Sequence, residues 1–172
     1  MNSSMRRDSI LQTIKQSEKP CSASSLAAQF HVSRQIVVGD IALLRASGVN
    51  IIATPRGYVM EDISLDSMTY AIAVVHKEED LKEELYTIVD HGGTIVDVIV
   101  EHPLYGQLSG QLHITSRYDA DQFLSNVKNN QAIPLSKLTN GLHLHTIKCK
   151  DEDTHQRIIQ ALKEKGFLYE KS

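Results

Sequence analysis

The chain has 172 residues, 41% hydrophobic and 23% charged, with a formal net charge of -3. That length admits one large domain or two small ones, and no apolar run approaches the roughly 18 residues a bilayer span needs, which argues against a membrane protein. Cys21 and Cys149 form no CxxC pair, which argues against a disulfide framework and a cysteine-based zinc finger.

Charge divides the chain where length does not. Residues 1–60 carry a net +4 and the remainder a net -7, so only the front is suited to a polyanion. The stretch from Ile10 is interrupted by Gln12, Thr13 and Lys15 too soon for a signal sequence. A reduced, cytoplasmic protein is expected.

Arg6 to Gln16 predicts an amphipathic helix that buries Ile10, Leu11 and Ile14 and ends at Lys19-Pro20. Ser24 to Phe30 predicts a short second helix, and His31-Val32 a tight turn. In Ser33 to Leu44 the residues Val37, Ile41 and Leu44 recur at i, i+4 and i+7, one apolar side of a third helix. Ser33 sits at the N-cap position, and Arg34, Gln35 and Val38 fall on the outer face. The pair is spaced as a helix-turn-helix whose second helix reads DNA. Ile51-Ile52-Ala53, the Pro55-Arg56-Gly57 turn and Tyr58-Val59-Met60 predict a hairpin with a basic tip, a wing. The candidate DNA-binding residues are therefore Ser33, Arg34, Gln35, Val38, Arg45 and Arg56. Arg34 and Gln35 suit base edges, since Arg pairs with guanine and Gln with adenine, and Arg45 and Arg56 suit phosphates. A domain of so modest a charge holds one half-site weakly, so a dimer on a palindromic operator is expected.

The polar stretch Glu61 to Ser67 reads as a linker, dividing a winged helix-turn-helix domain at 1–62 from a second domain at 68–172. Beyond it, strands are expected at Tyr70 to Val75, Thr94 to Val100, Gln111 to Thr115 and Leu142 to Lys148. Helices are expected at Glu78 to Val89, stopped by Gly92-Gly93, from Asp119 to Asn129-Asn130, and from Thr154 to Lys165. Phe167 to Tyr169 completes the set as an edge strand. The fold class is α+β, with helices packed on a mixed or antiparallel sheet.

Seven of the eight histidines lie after residue 60. His143 and His145 leave one face of their strand, because strand side chains alternate with period two. His76 ends another strand and Glu84 lies on the helix that follows. Four ligands from three elements can thus converge on one metal ion, if the fold brings them together. Mixed imidazole and carboxylate donors suit zinc, nickel, iron or manganese. The alternative is plain: an HxH strand can present two polar side chains to solvent, and Glu84 sits in an acidic run typical of a solvated helix face.

The front segments SRQIVVGDIALLR and RGYVM resemble the winged helix of biotin-repressor-like bacterial regulators. Together with His76, Glu84, the His102-Pro103-Leu104-Tyr105-Gly106 loop and His143-Leu144-His145, the whole chain resembles the niacin-responsive repressors that carry a three-histidine (3H) domain. That resemblance implies a homodimeric repressor of genes for NAD synthesis or niacin uptake, with nicotinic acid as co-repressor. It also implies that His76, Glu84, His143 and His145 are metal ligands. A site for nicotinic acid needs an aromatic wall and a partner for the carboxylate, for which His102 and Tyr105 are candidates; a surface turn set by Pro103 and Gly106 is the other reading. Gly39 departs from the pattern, standing where such helices carry Arg or another polar residue. No nucleophile motif, glycine-rich phosphate loop or HExxH pattern is present, so the protein is not expected to be an enzyme. The competing readings are a repressor for which the metal itself is the signal and a metal-dependent enzyme fused to a DNA reader.

Overall fold

In the computed structural model, which describes residues 1–61 and 68–170, three capped helices close the front of the chain. α1 (Ser3–Gln16) starts at Asn2, whose side chain accepts from the Met5 amide. α2 (Ala23–Phe30) is capped by Ser22 and ends at His31 in the left-handed conformation. α3 (Arg34–Ala46) is capped by Ser33, which accepts from the Ile36 amide at 3.2 Å. Each cap satisfies an amide that the first turn leaves without a partner. α1 begins three residues before the expected Arg6, because Asn2 supplies a cap that apolar spacing does not reveal.

Ile10, Ile14, Leu26, Val37, Ile41, Leu44 and Ile51 form the core of this unit. The wing is β1 (Ile51–Thr54) paired antiparallel with β2 (Gly57–Met60). It is tied to the helices through Cys21, which exchanges backbone hydrogen bonds with Tyr58 at 2.8 and 2.9 Å. That close approach requires a glycine, since a Cβ on Gly57 would lie 2.6 Å from the Cys21 carbonyl carbon.

The second unit is a four-stranded antiparallel sheet of order β3-β6-β4-β5, with β3 (Met68–Val75), β4 (Thr94–His102), β5 (Gly106–Ile114) and β6 (Leu142–Cys149). The fold is α+β. α4 (Leu81–Asp90), α5 (Arg117–Asn129) and α6 (Glu152–Glu164) surround a core of Ile72, Val74, Leu85, Ile88, Ile95, Ile114, Ile147, Ile158 and Leu162. The chain divides into these two units at Ile63 and Ser64, and the linker expectation falls mainly on residues 62–67, outside the described residues.

Several boundaries differ from expectation for visible reasons. Residues 78–80 form a 3-10 turn ahead of α4 instead of its first turn. β5 starts at Gly106, five residues before Gln111, because Gln107, Ser109 and Gly110 hide the alternation. α5 starts at Arg117 under a Ser116 cap, while Asp119 folds back to accept from the amide and hydroxyl of Thr115 at 3.0 and 2.8 Å. A 3-10 segment at Leu135–Thr139 was not expected at all. Leu168 pairs with Val74 as a single bridge, in place of a full edge strand.

Candidate metal centre and nucleic-acid interface

β6 alternates strictly: His143, His145, Ile147 and Cys149 are buried and Leu142 and Leu144 are exposed. Its register against β3 sets Val74 opposite His143 and Ile72 opposite His145. His76 follows the end of β3. Across from them, α4 buries Leu81, Glu84, Leu85 and Ile88, at i, i+3, i+4 and i+7, so Glu84 occupies a place in the apolar stripe and is fully buried. The solvated-face alternative for Glu84 is thereby set aside, as is the exposed alternative for the two strand histidines, which are 3% and 2% exposed.

The four side chains meet. Ligand atoms of His76, Glu84 and His143 all lie within 4.8 Å of one another. Nε2 of His76 contacts one carboxylate oxygen of Glu84, and Nε2 of His143 lies 3.2 Å from the other. Nε2 of His145 stands 2.5 Å from that second oxygen but makes no hydrogen bond in the position it holds, and it is the buried side-chain atom left unpartnered among the described residues. The rings of His76 and His143, and of His143 and His145, cross nearly at right angles, with centroids 5.0 and 4.8 Å apart.

What lies behind the rings fixes their protonation. Nδ1 of His76 is 2.7 Å from the Lys77 carbonyl, Nδ1 of His143 is 2.9 Å from that of Gly141, and Nδ1 of His145 is 2.6 Å from that of Asp97. A carbonyl oxygen only accepts, so all three Nδ1 atoms carry hydrogen. In the neutral rings all three Nε2 lone pairs then face a carboxylate inside the protein. That concentration of electron pairs requires either protons on Nε2 or a cation. Histidines oriented by Nδ1–H to backbone carbonyls, with Nε2 converging on one carboxylate, are the arrangement that metal-ligating histidines adopt. The donor set fits a divalent transition ion.

Electrostatics agree with the geometry. Burial alone would raise the Glu84 carboxyl, but the charge of His145 and the contacts from His143 and His76 outweigh it and hold the group well below the usual range. Burial lowers His76 and His145, yet Glu84 outweighs it and leaves both raised. Two backbone features make the packing work. A Cβ on Gly141 would fall 2.2 Å from the His76 carbonyl oxygen. Register shifts on β4 between Ile95 and Ile99 leave the Asp97 carbonyl for His145, while the Asp97 side chain accepts from the Thr146 amide at 2.8 Å. Neither Gly141 nor Asp97 was found by sequence reasoning.

His102 and Tyr105 lie at the tip of the β4–β5 hairpin. Nδ1 of His102 accepts from the amides of Leu104 and Tyr105 at 3.1 and 3.3 Å, and Tyr105 is 69% exposed. A different region borders His76: a cavity of about 390 Å3 bounded also by Lys77, Ser136, Lys137 and Asn140, with Lys137 ion-paired to Glu78 at 2.7 Å.

In the front unit Arg34, Gln35, Val38 and Arg45 are exposed on α3, Ser33 caps it, and Arg56 is in the β1–β2 turn. The inner face holds a residue that apolar spacing alone did not reveal. Asp40 is 4% exposed and takes a bidentate contact from Arg6 of α1, at 2.6 and 3.2 Å, with Arg7 at 3.8 Å. Arg6 thus anchors α3 from inside.

Among the described residues no helix is long and apolar enough to cross a membrane. Residues 6–59 match the model of an HTH domain and residues 69–171 that of the 3H domain. The chain is 45% identical to a probable transcription repressor NiaR of Thermotoga maritima, over 96% of this chain and 94% of that protein. It is 42% identical to the transcription repressor NadR of Bacillus subtilis, over 95% of this chain and 92% of that protein. With an HTH reader in front and a 3H domain behind, matched along nearly its full length, the chain belongs to the niacin-responsive family of transcription repressors.

Proposed function

We propose that this protein is a cytoplasmic, homodimeric regulator and not an enzyme, which represses genes of NAD synthesis or niacin uptake with nicotinic acid as co-repressor and a divalent metal ion in the 3H domain. The single observation that carries the second half of this reading is the buried convergence of three Nε2 atoms on Glu84, each ring held from behind by a backbone carbonyl. Nε2 of His76, His143 and His145 and the carboxylate of Glu84 would hold the ion, which would supply the positive charge that these lone pairs lack and tie β3, α4 and β6 together. Candidate metals remain zinc, nickel, iron and manganese.

For the effector, the cavity beside His76 is a better placed candidate than the His102–Tyr105 tip. Its volume lies within the roughly 300–1,000 Å3 of ordinary ligand sites. Ser136 and Asn140 offer two neutral donors for a carboxylate, and Lys137 a cation once its ion pair with Glu78, which lines the same cavity, opens. In the DNA reader, Ser33 sets the N-terminus of α3, Arg34 and Gln35 meet base edges, Val38 lies beside them, and Arg45 and Arg56 meet phosphates. A ligand that binds one dimer geometry better shifts the population that fits the operator.

The complete burial of all four ligand groups favours a second reading, in which the metal is itself the signal, because a closed four-ligand site leaves no open position on the ion for nicotinic acid. A gel-shift series on DNA upstream of NAD-synthesis genes separates the two. Nicotinic acid is expected to tighten binding where nicotinamide does not; binding that responds to metal and to no pyridine ligand contradicts the co-repressor reading.

A further inference from the structure

α3 has two stripes. Val37, Asp40, Ile41 and Leu44 face the core, and Gln35, Val38, Gly39 and Ala42, at i, i+3, i+4 and i+7, share the opposite, exposed side. Gly39 thus stands in the middle of the surface that this family's reader turns to DNA.

Nothing among the described residues accounts for a glycine there. Of the nine glycines, six have a positive φ, where a side chain is strained. Gly93 would place a Cβ 2.7 Å from Ile158, whereas a Cβ on Gly110 would make only ordinary contacts, at 3.7 Å, with Leu135 and Val98. Gly39 alone has neither a positive φ nor, beyond the backbone of its own helix, any atom within 4 Å of the Cβ it lacks. A glycine inside a helix lowers stability relative to alanine. The fold keeps this one at a loss, and the vacant position points outward.

We propose that Gly39 is a specificity-determining residue: the missing side chain lets the backbone of α3 lie directly against base edges in the major groove, at a distance that a Cβ would not permit. This rests on the DNA-reading role of α3. Where related helices carry Arg or another polar residue, the contact here is made by the backbone itself.

The test uses the full-length, metal-loaded protein in nicotinic acid and a duplex enriched by it from a randomised pool, with a scrambled duplex as control. Gly39→Ala is expected to raise Tm by about 2–8 °C. Its Kd for the enriched duplex is expected to weaken about tenfold or more, as overpacking a fitted contact does, while the Kd for the scrambled duplex stays within about twofold. Undiminished affinity for the enriched duplex overturns the proposal. So does equal weakening on both duplexes, which places the contact on phosphates, and so does a lowered Tm, which gives the glycine a role in the fold. If the unaltered protein enriches no duplex, the DNA-reading role itself falls, which is a different result from any of these.

Discussion

Replacing Glu84 by Gln removes the one anion from the cluster while keeping its size. Glu84 is fully buried and contacts Nε2 of three histidines, so no water or neighbouring acid takes its place. With zinc or nickel at 100 times the dissociation constant, a protein that binds only when folded gains about 2.7 kcal/mol. For a domain of this size 1 kcal/mol corresponds to roughly 4–8 °C, so metal should raise Tm by about 10–20 °C. Loss of a charged ligand is expected to weaken affinity by at least about 100-fold, which leaves Glu84→Gln half saturated under the same conditions and gains it only about 0.4 kcal/mol. The metal-dependent rise should therefore shrink to about 2–3 °C. Scanning calorimetry with and without chelator measures both. An equal rise in the two proteins refutes the argument, because it means the ion binds elsewhere.

Other consequences are as direct. In stripped protein, the raised His76 and His145 stabilise fully below the ordinary histidine value of about 6.5 and cease to do so as pH climbs through their folded values, whereas the lowered Glu84 stabilises above about 4.3 and fails as pH drops through its own. Stripped protein should be most stable between about pH 5 and 6 and weaken toward pH 8, and metal should reverse that trend because protons no longer compete; a higher Tm at pH 8 than at 5.5 in chelator contradicts this. Arg6→Ala leaves the buried Asp40 with Arg7 alone at 3.8 Å, and should lower the Tm of the front unit and loosen operator binding together; operator affinity lost at unchanged Tm would make Arg6 a DNA contact instead. Arg56→Ala should weaken binding to every sequence alike and reduce the salt slope by about 1, read by fluorescence anisotropy, and an unchanged slope removes the wing tip from the interface.

Periodicity made the elements of both units legible and the histidine pattern pointed to Glu84, while what stayed hidden has two origins, a buried carboxylate whose partner is distant in sequence, as at Asp40, and groups that act through the backbone. Asp40 in Val37-Asp40-Ile41-Leu44 and Glu84 in Leu81-Glu84-Leu85-Ile88 hold the same place, i+3 in an otherwise apolar helical stripe. A carboxylate in such a place must be buried, and a buried carboxylate must have cationic or donor partners. The signal was present in both, but the partners, Arg6 and the three imidazoles, lie 34 and up to 61 residues away in sequence. Gly141 and the Asp97 carbonyl leave no side-chain signature, since each acts through backbone position. The His102–Gly106 loop carried ring and turn residues together, and the ring nitrogen serves the turn.

We propose control of the DNA reader by the cluster around Glu84. Its most direct test is operator affinity of the full-length protein in nicotinic acid, measured before stripping with chelator, after stripping, and after metal is restored. Tight binding, its loss on stripping and its recovery on reloading are expected. Affinity indifferent to the chelator, in protein shown by elemental analysis to have lost its metal, would contradict it.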